Sequence, residues 1–267
     1  MIDLMDHPAD PRKLDVFAIT REAYQGGWTH FGEMVRLIWL PGLLYIAVAL
    51  VSGALDSEAN PGLRLLCDLA VFFLWPIIAV AWHRFILVGD ATPGRFHLHF
   101  GRREARFLVV SIFLSLLALP GILIASMTAA LNDPSLGTSA SLLGFLGLIV
   151  LMVGLYYFVR LLLLLPAVAV DEPINARLIL ERTRGNFWRL LSLVILASLP
   201  LVLVIFAGAS LVLALGLPGV ILLVLGALVG VFFMIVNVAV ISIAYRELIG
   251  PPGTLAFDLE GPDAPLN

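Results

Sequence analysis

Few side chains in this sequence combine reactive chemistry with a position that suggests its use. No charged residue falls between Arg189 and Arg246. Within that run Asn237 is the most polar side chain, and an amide at that depth needs a partner. It either hydrogen-bonds a neighbouring helix or lines a path for a solute, and the interhelical bond is the expected use. Asp68 follows Arg64 by four residues, a spacing that allows an ion pair on one helical face. A proton relay would place its carboxylate deeper in an apolar segment. Arg36, Arg84 and Arg160 stand at the ends of apolar segments, where the aliphatic stem lets the guanidinium snorkel to an interface. Arg160 is the least comfortable, because residues 161–170 after it remain apolar. It has three options: snorkelling, a lipid phosphate, or a carboxylate such as Asp171. With Arg84, Arg182 and Arg184 it makes the set of arginines placed to hold lipid phosphate or to serve a structural end.

Other motifs carry less. Gly226-Ala227-Leu228-Val229-Gly230 is a GxxxG within an apolar stretch, which permits close helix packing. His97 and His99 alternate around Leu98, with His83 further back. Without nearby cysteines or a carboxylate cluster they read as loop histidines rather than metal ligands. The lone Cys67 lies in an apolar segment and reads as a packing residue. Phosphate-cradling glycine loops, nucleophile elbows and metalloprotease helices are absent from the sequence. The expectation is therefore no cofactor, no metal and no catalytic set.

These residues sit in a chain of 267 residues that is 61% hydrophobic and 13% charged, with a mean hydropathy of +1.03. Soluble domains carry about 25% charged residues. So much apolar surface requires lipid to cover part of it. A spanning helix needs about 20 apolar residues, and six such segments are legible: about 37–55, 65–88, 107–131, 141–163, 190–215 and 220–245. The fold class expected is all-α: a six-helix membrane bundle in residues 36–249. It is preceded by a cytoplasmic segment 1–35 with an interfacial helix, and followed by a disordered cytoplasmic tail 250–267. Residues 1–30 hold Asp3, Asp6, Asp10, Asp15 and Glu22, unlike a cleavable leader.

Orientation follows from the basic residues. Of the 16 lysines and arginines, all but Arg64 fall in the N-terminal segment, in the second and fourth connections, or after the last span. Basic residues stay on the cytoplasmic side, so both termini are expected there. Short outer connections hold Asp56, Glu58 and Asp133. Trp28, Trp39, Trp82, Tyr156, Tyr157, Trp188 and Tyr245 lie near expected helix ends, at headgroup level. The arginine run 102–106 is accounted for by topology, so no nucleic-acid partner is expected. Membrane lipids are the expected partners, with other membrane proteins as a second class.

The six segments pair into three hairpins of similar grammar. Each opens near Leu-Pro (Leu40-Pro41, Leu119-Pro120, Leu199-Pro200) and closes on an aromatic residue near an arginine (Trp82-His83-Arg84, Phe158-Val159-Arg160, Tyr245-Arg246). Triplication of one unit and coincidence among leucine-rich helices both fit. Pro41, Pro76, Pro120 and Pro200 each remove a backbone donor and should kink their helices. Residues 173–187, entered through Asp171 and Glu172, read as an amphipathic helix lying flat on the membrane with Pro173 in its first turn. Residues 16–34 read the same way.

The stretches AWHRFILVGD (81–90), YYFVRLLLLLPAVAVDEP (156–173) and ERTRGNFWRLL (181–191) resemble a group of bacterial six-helix membrane proteins. That group includes the membrane domain joined to some glycerophosphodiester phosphodiesterases and stand-alone relatives of unknown function. The resemblance implies an inner-membrane protein without assigned chemistry. The phosphodiesterase barrel has no counterpart here, so its activity does not carry over. Arginine in place of lysine, with abundant Ala, Leu, Val and Gly, suggests a GC-rich bacterial genome. A non-catalytic scaffolding, assembly or envelope-maintenance role is expected. The alternatives are a transporter or channel using Asn237 and the proline sites, and a lipid-processing protein.

Overall fold

A computed structural model describes residues 13–55, 59–90, 100–130 and 137–255. Every element among them is an α-helix: α1 (Val16–Thr29), α2 (Phe31–Leu37), α3 (Trp39–Ala54), α4 (Pro61–Val88), α5 (Arg102–Ala130), α6 (Gly137–Leu161), α7 (Leu164–Ala169), α8 (Ala176–Arg182), α9 (Phe187–Ala214) and α10 (Gly219–Leu248). Five stretches are long and apolar enough to cross a membrane: Pro61–Val88, Arg102–Ile124, Leu142–Ala169, Phe187–Ala214 and Gly219–Leu248. The pair α2 and α3, bent by 83° at Ile38, makes a sixth if it counts as one broken span.

Proline places two of the breaks. Pro41 has no N–H for the Leu37 carbonyl, and its ring crowds that carbonyl. The helix α2 ends at Leu37 and α3 restarts at Trp39. The expected first span is thus a 16-residue helix, about 24 Å long at 1.5 Å per residue, set at a steep angle to its lead-in. Pro166 acts likewise on the Leu162 carbonyl, and α6 stops at Leu161. The apolar run after Arg160 continues past the expected fourth span (141–163) and folds into α7. Leu164, Pro166, Ala167, Val168 and Ala169 are all buried there, against α4, α5 and α10. By contrast α4, α5 and α9 continue through Pro76, Pro120 and Pro200.

Burial is uneven along the spans. The core is built from Ile78–His83 of α4, Phe107–Leu114 of α5, Val159–Ala169, Leu190–Ala197 of α9 and Val231–Leu248 of α10. The other halves are exposed: Leu63–Phe73 on α4, Leu142–Val153 on α6, Val202–Phe206 on α9 and Val220–Leu228 on α10 all present large apolar side chains. In α9 five consecutive residues, 202–206, are exposed, so apolar side chains point outward all round that turn. The buried half is the arginine-rich half.

The N-terminal segment joins that core. Asp15 caps α1 by accepting from the Ala18 amide at 3.0 Å, as an N-cap aspartate does. Ile19, Thr20, Ala23 and Gly27 are buried against α9 and α10. The apolar face of α1 therefore meets protein, which corrects the expectation of a helix lying flat on lipid. The 173–187 helix also differs. Asn175 caps it, accepting from the Leu178 amide at 3.0 Å. Gly185, at φ 77°, turns the chain just past its end, a left-handed conformation that suits glycine. Pro173, Asp171 and Glu172 stay outside it. The tail is not wholly free either, since Leu255 is fully buried; residues 256–267 lie outside the described residues, as do His97, His99, Asp56, Glu58 and Asp133.

Close helix approach uses glycines the sequence reading passed over. A Cβ on Gly154 of α6 would land on the Leu117 carbonyl of α5, and one on Gly121 would land on the Leu151 backbone. At Gly226 and Gly230 a Cβ would meet nothing within 4 Å, so the GxxxG is not a packing site within this chain. We expect Gly154→Val to lower stability in detergent by at least ~1–3 kcal/mol, as an overpacked contact does. Gly226→Ala should stay within about 0.5 kcal/mol. Thermal or denaturant unfolding of the two variants checks this, and equal losses would refute the glycine contact.

Candidate functional site: an arginine-rich polar cap

The ends of α4, α5, α6, α9 and α10 converge with α7 and α8 on one polar cap. Arg84, just ahead of the last turn of α4, donates from Nε and Nη2 to Asp90 Oδ2 at 3.0 and 2.9 Å. Its Nη1 lies 3.5 Å from Asp171 Oδ2. Arg103, in the first turn of α5, grips the same Asp171 through Nε at 3.0 and 3.1 Å and through Nη2. Asp171 thereby ties α4 and α5 to the turn after α7. It does so at φ 65°, a left-handed conformation that aspartate tolerates better than most residues. Glu172, its neighbour, is buried and accepts from the Gly253 amide, which fastens the start of the tail beneath α7.

Arg160 has a different setting. It is 8% exposed, and it does not pair with Asp171. Its Nε donates to Thr183 Oγ1 at 3.1 Å, its Nη1 to the Tyr156 hydroxyl at 2.6 Å, and its Nη2 to the Leu180 carbonyl. Its guanidinium carbon lies 5.1 Å from the Tyr156 ring centroid. Thr183 spends its own hydrogen on the Ile179 carbonyl at 2.8 Å, so it meets Arg160 as an acceptor. The guanidinium thus joins the end of α6 to the last turn of α8. Three residues after Thr183, Asn186 Oδ1 accepts from the Leu14 amide at 3.1 Å, and Arg189 donates to the Leu14 carbonyl. That pair docks the chain ahead of α1 onto the start of α9.

Deeper in the bundle, His83 is buried and its Nδ1 lies 2.7 Å from Ser242 Oγ. The Ser242 hydroxyl donates to the Val238 carbonyl at 2.8 Å, so the network assigns the hydrogen to His83 Nδ1. His83 is a core residue of α4, not a loop histidine. Trp82 and Tyr245 are core as well, each with no exposed surface. Trp82 donates from Nε1 to the Met34 carbonyl at 3.1 Å, which holds α2 against α4. Trp28 at 76% and Trp188 at 73% are exposed, together with Trp39, Tyr156 and Tyr157. Those five carry amphipathic rings on the surface of the bundle.

The remaining sequence candidates lie apart from the cap. Asn237 donates to the Phe233 carbonyl of its own helix at 2.9 Å and faces Ser198 of α9 at 3.5 Å. Nearby, the Tyr24 hydroxyl donates to the Ala197 carbonyl at 2.9 Å, beside the Leu196 carbonyl that Pro200 leaves without a donor. Asp68 accepts from Ser52 of α3 at 3.3 Å and makes no salt bridge with Arg64. Cys67 is buried. Arg36, Arg182 and Arg184 are exposed. A cavity of about 10 Å³ between Val159, Leu163, Leu193 and Val240 is lined by apolar side chains, room for one water at most. Among the described residues no group of three His, Cys, Asp or Glu is placed to hold a metal ion.

Sequence reasoning missed Thr183, Asn186, Asp90, Tyr156 and Ser242 as partners. Their signal was the grouping of conspicuous stretches. The three stretches 81–90, 156–173 and 181–191 touch one another through Arg84–Asp90, Arg84–Asp171, Arg160–Thr183 and Arg160–Leu180. Compared with family models, with curated proteins and with solved structures, the chain matches none.

Two measurements check this network. Removing the Ser242 hydroxyl leaves a buried imidazole N–H unpaired, so Ser242→Ala should cost ~1–3 kcal/mol; a neutral result in thermal unfolding would refute the pairing. The Arg103 hydrogen bonds, and then the Arg103, Arg84 and Arg106 charges, hold the Asp171 carboxyl below the usual carboxylate range despite partial burial. The fold thus favours the carboxylate. Its stabilisation is complete above the ordinary aspartate value of about 4 and is lost as pH falls through the lowered native value. Solvent screening at this half-exposed side chain keeps the effect near ~1 kcal/mol or below. Asp171→Asn keeps the left-handed turn but removes the charge. Its stability should therefore fall less than wild type between about pH 5 and pH 2, and parallel curves would refute the role of the ion pair.

Proposed function

We propose that this is a bacterial inner-membrane protein that crosses the bilayer six times with both termini in the cytoplasm. In this reading α2 and α3 form the first, broken crossing, and the spans pair as α3 with α4, α5 with α6 and α9 with α10. The packing between those partners supports the pairing. The protein acts as a non-catalytic scaffold, in assembly or in maintenance of the envelope. It belongs with the six-helix group that its motifs resemble.

One observation carries the scaffold reading. The polar side chains that looked most like a site are each tied to another element of the same chain. Arg84 and Arg103 hold Asp171, Arg160 holds α8, His83 holds α10 and Asn237 faces α9. The outcome is a consolidated basic cap beneath an apolar girdle. Such a surface suits contact with lipid headgroups and with other membrane proteins.

Topology and function are tested separately. A fluorescent protein fused after Asn267 should be bright, and an alkaline phosphatase fused there silent; the reverse pattern overturns the orientation. In proteoliposomes, flux across a broad panel of small solutes should equal that of empty vesicles. Flux that disappears in Asn237→Leu would overturn the scaffold in favour of a transporter.

A further inference from the structure

The geometry points to Arg160 as the centre of a binding site for the phosphate of an anionic phospholipid in the cytoplasmic leaflet. The inference uses the membrane placement above but not the scaffold role. It starts from charge balance. Three other arginines of the cap are offset by carboxylates: Arg84 by Asp90 and Asp171, Arg103 by Asp171, Arg246 by Glu22. Arg160 is more buried than these, and no carboxylate among the described residues makes a salt bridge with it. Its three acceptors, Thr183, Tyr156 and the Leu180 carbonyl, are neutral. The end of α8 contributes at most about half an elementary negative charge. A buried charge left this way favours a counter-ion.

The donors and their surroundings suit phosphate. A guanidinium has five N–H groups, and three are used here, so two remain. The Tyr156 hydroxyl accepts from Arg160 and keeps its own hydrogen to give. That makes three donors in one place, matching the three acceptor oxygens a phosphate can offer. Arg160 lies one residue before the end of α6, and Phe187 opens α9, so the site sits where two spans meet the headgroup region. The rings of Tyr157, Tyr156, Phe187 and Trp188 form a continuous row beside it, with successive centroids 5.3, 5.0 and 4.9 Å apart. Tyr157 and Trp188 are exposed, as a wall for acyl chains and glycerol would be. Arg184 stands exposed on the following turn and adds positive potential toward an anionic surface.

The test uses the full chain in a nonionic detergent. Phosphatidylglycerol, diacylglycerol (the same tails without phosphate) and inorganic phosphate are titrated separately. Bound lipid is read by native mass spectrometry and the unfolding midpoint by thermal scan. We expect phosphatidylglycerol to bind and raise the midpoint, diacylglycerol to do neither, and millimolar inorganic phosphate not to displace the lipid. Tyr156→Phe, the mild variant, removes the acceptor of one Arg160 N–H, so it should lower the lipid-free midpoint slightly while binding phosphatidylglycerol about tenfold more weakly. Arg160→Gln, if it folds, should lose the lipid-dependent shift altogether. Equal binding of diacylglycerol, or unchanged affinity in Tyr156→Phe, overturns the site. Displacement by inorganic phosphate overturns the lipid as its occupant in favour of the free anion. Any of these failures leaves the fusion and flux results untouched, so the two readings fail separately.

Discussion

An apolar medium offers no hydrogen-bond partners, so each polar group placed in it must find one within the chain. Much of this structure follows from that constraint. Serines on the spans turn back onto their own helices, as Ser111 does onto Phe107 and Ser210 onto Phe206. Asn237 does the same and adds Ser198. Pro200 removes one donor from the backbone ladder of α9, and Tyr24 reaches in from α1 to the Ala197 carbonyl in the turn before it. The N-terminal helix is thereby recruited into the bundle rather than left on its surface.

The same constraint explains why packing is concentrated at one end. Charged and amide groups can gather only where water and headgroups are near, and there they tie elements together over long sequence separations. Asp171 joins α4 and α5; Asn186 and Arg189 hold Leu14; Glu172 holds the backbone at Gly253. Among the described residues the apolar halves beyond have few such ties, Ser52 to Asp68 being one, and rely on shape. Gly121 and Gly154 let α5 and α6 meet backbone to backbone, while α9 near Val202–Phe206 is exposed on all sides. The bundle is thus consolidated at its basic end and open at the other.

Arginine serves two purposes within the cap. Where a carboxylate is at hand it acts as a clamp, as Arg103 does on Asp171. Arg160 has hydroxyls and a carbonyl around it instead, an arrangement that orients the guanidinium without neutralising it. What separates the two settings is the left-handed turn at Asp171, which aims that carboxylate toward α5 and away from α6.

Much of this was legible in the sequence. Long apolar runs and the clustering of arginines determined that the chain is helical, which segments can span a membrane, and which ends share a side. Those are sums over many residues, so errors in single positions hardly matter. The sequence also marked Arg160 as uncomfortable and the stretch 181–191 as conspicuous. It did not reveal that Pro41 and Pro166 would break helices while Pro76, Pro120 and Pro200 would not. Nor did it reveal that Gly121 and Gly154, rather than Gly226 and Gly230, would make the close contact, or that Trp82, His83 and Tyr245 would be core. Each of those outcomes depends on which neighbour stands opposite a given residue, and such distant pairings arise only when the helices have packed.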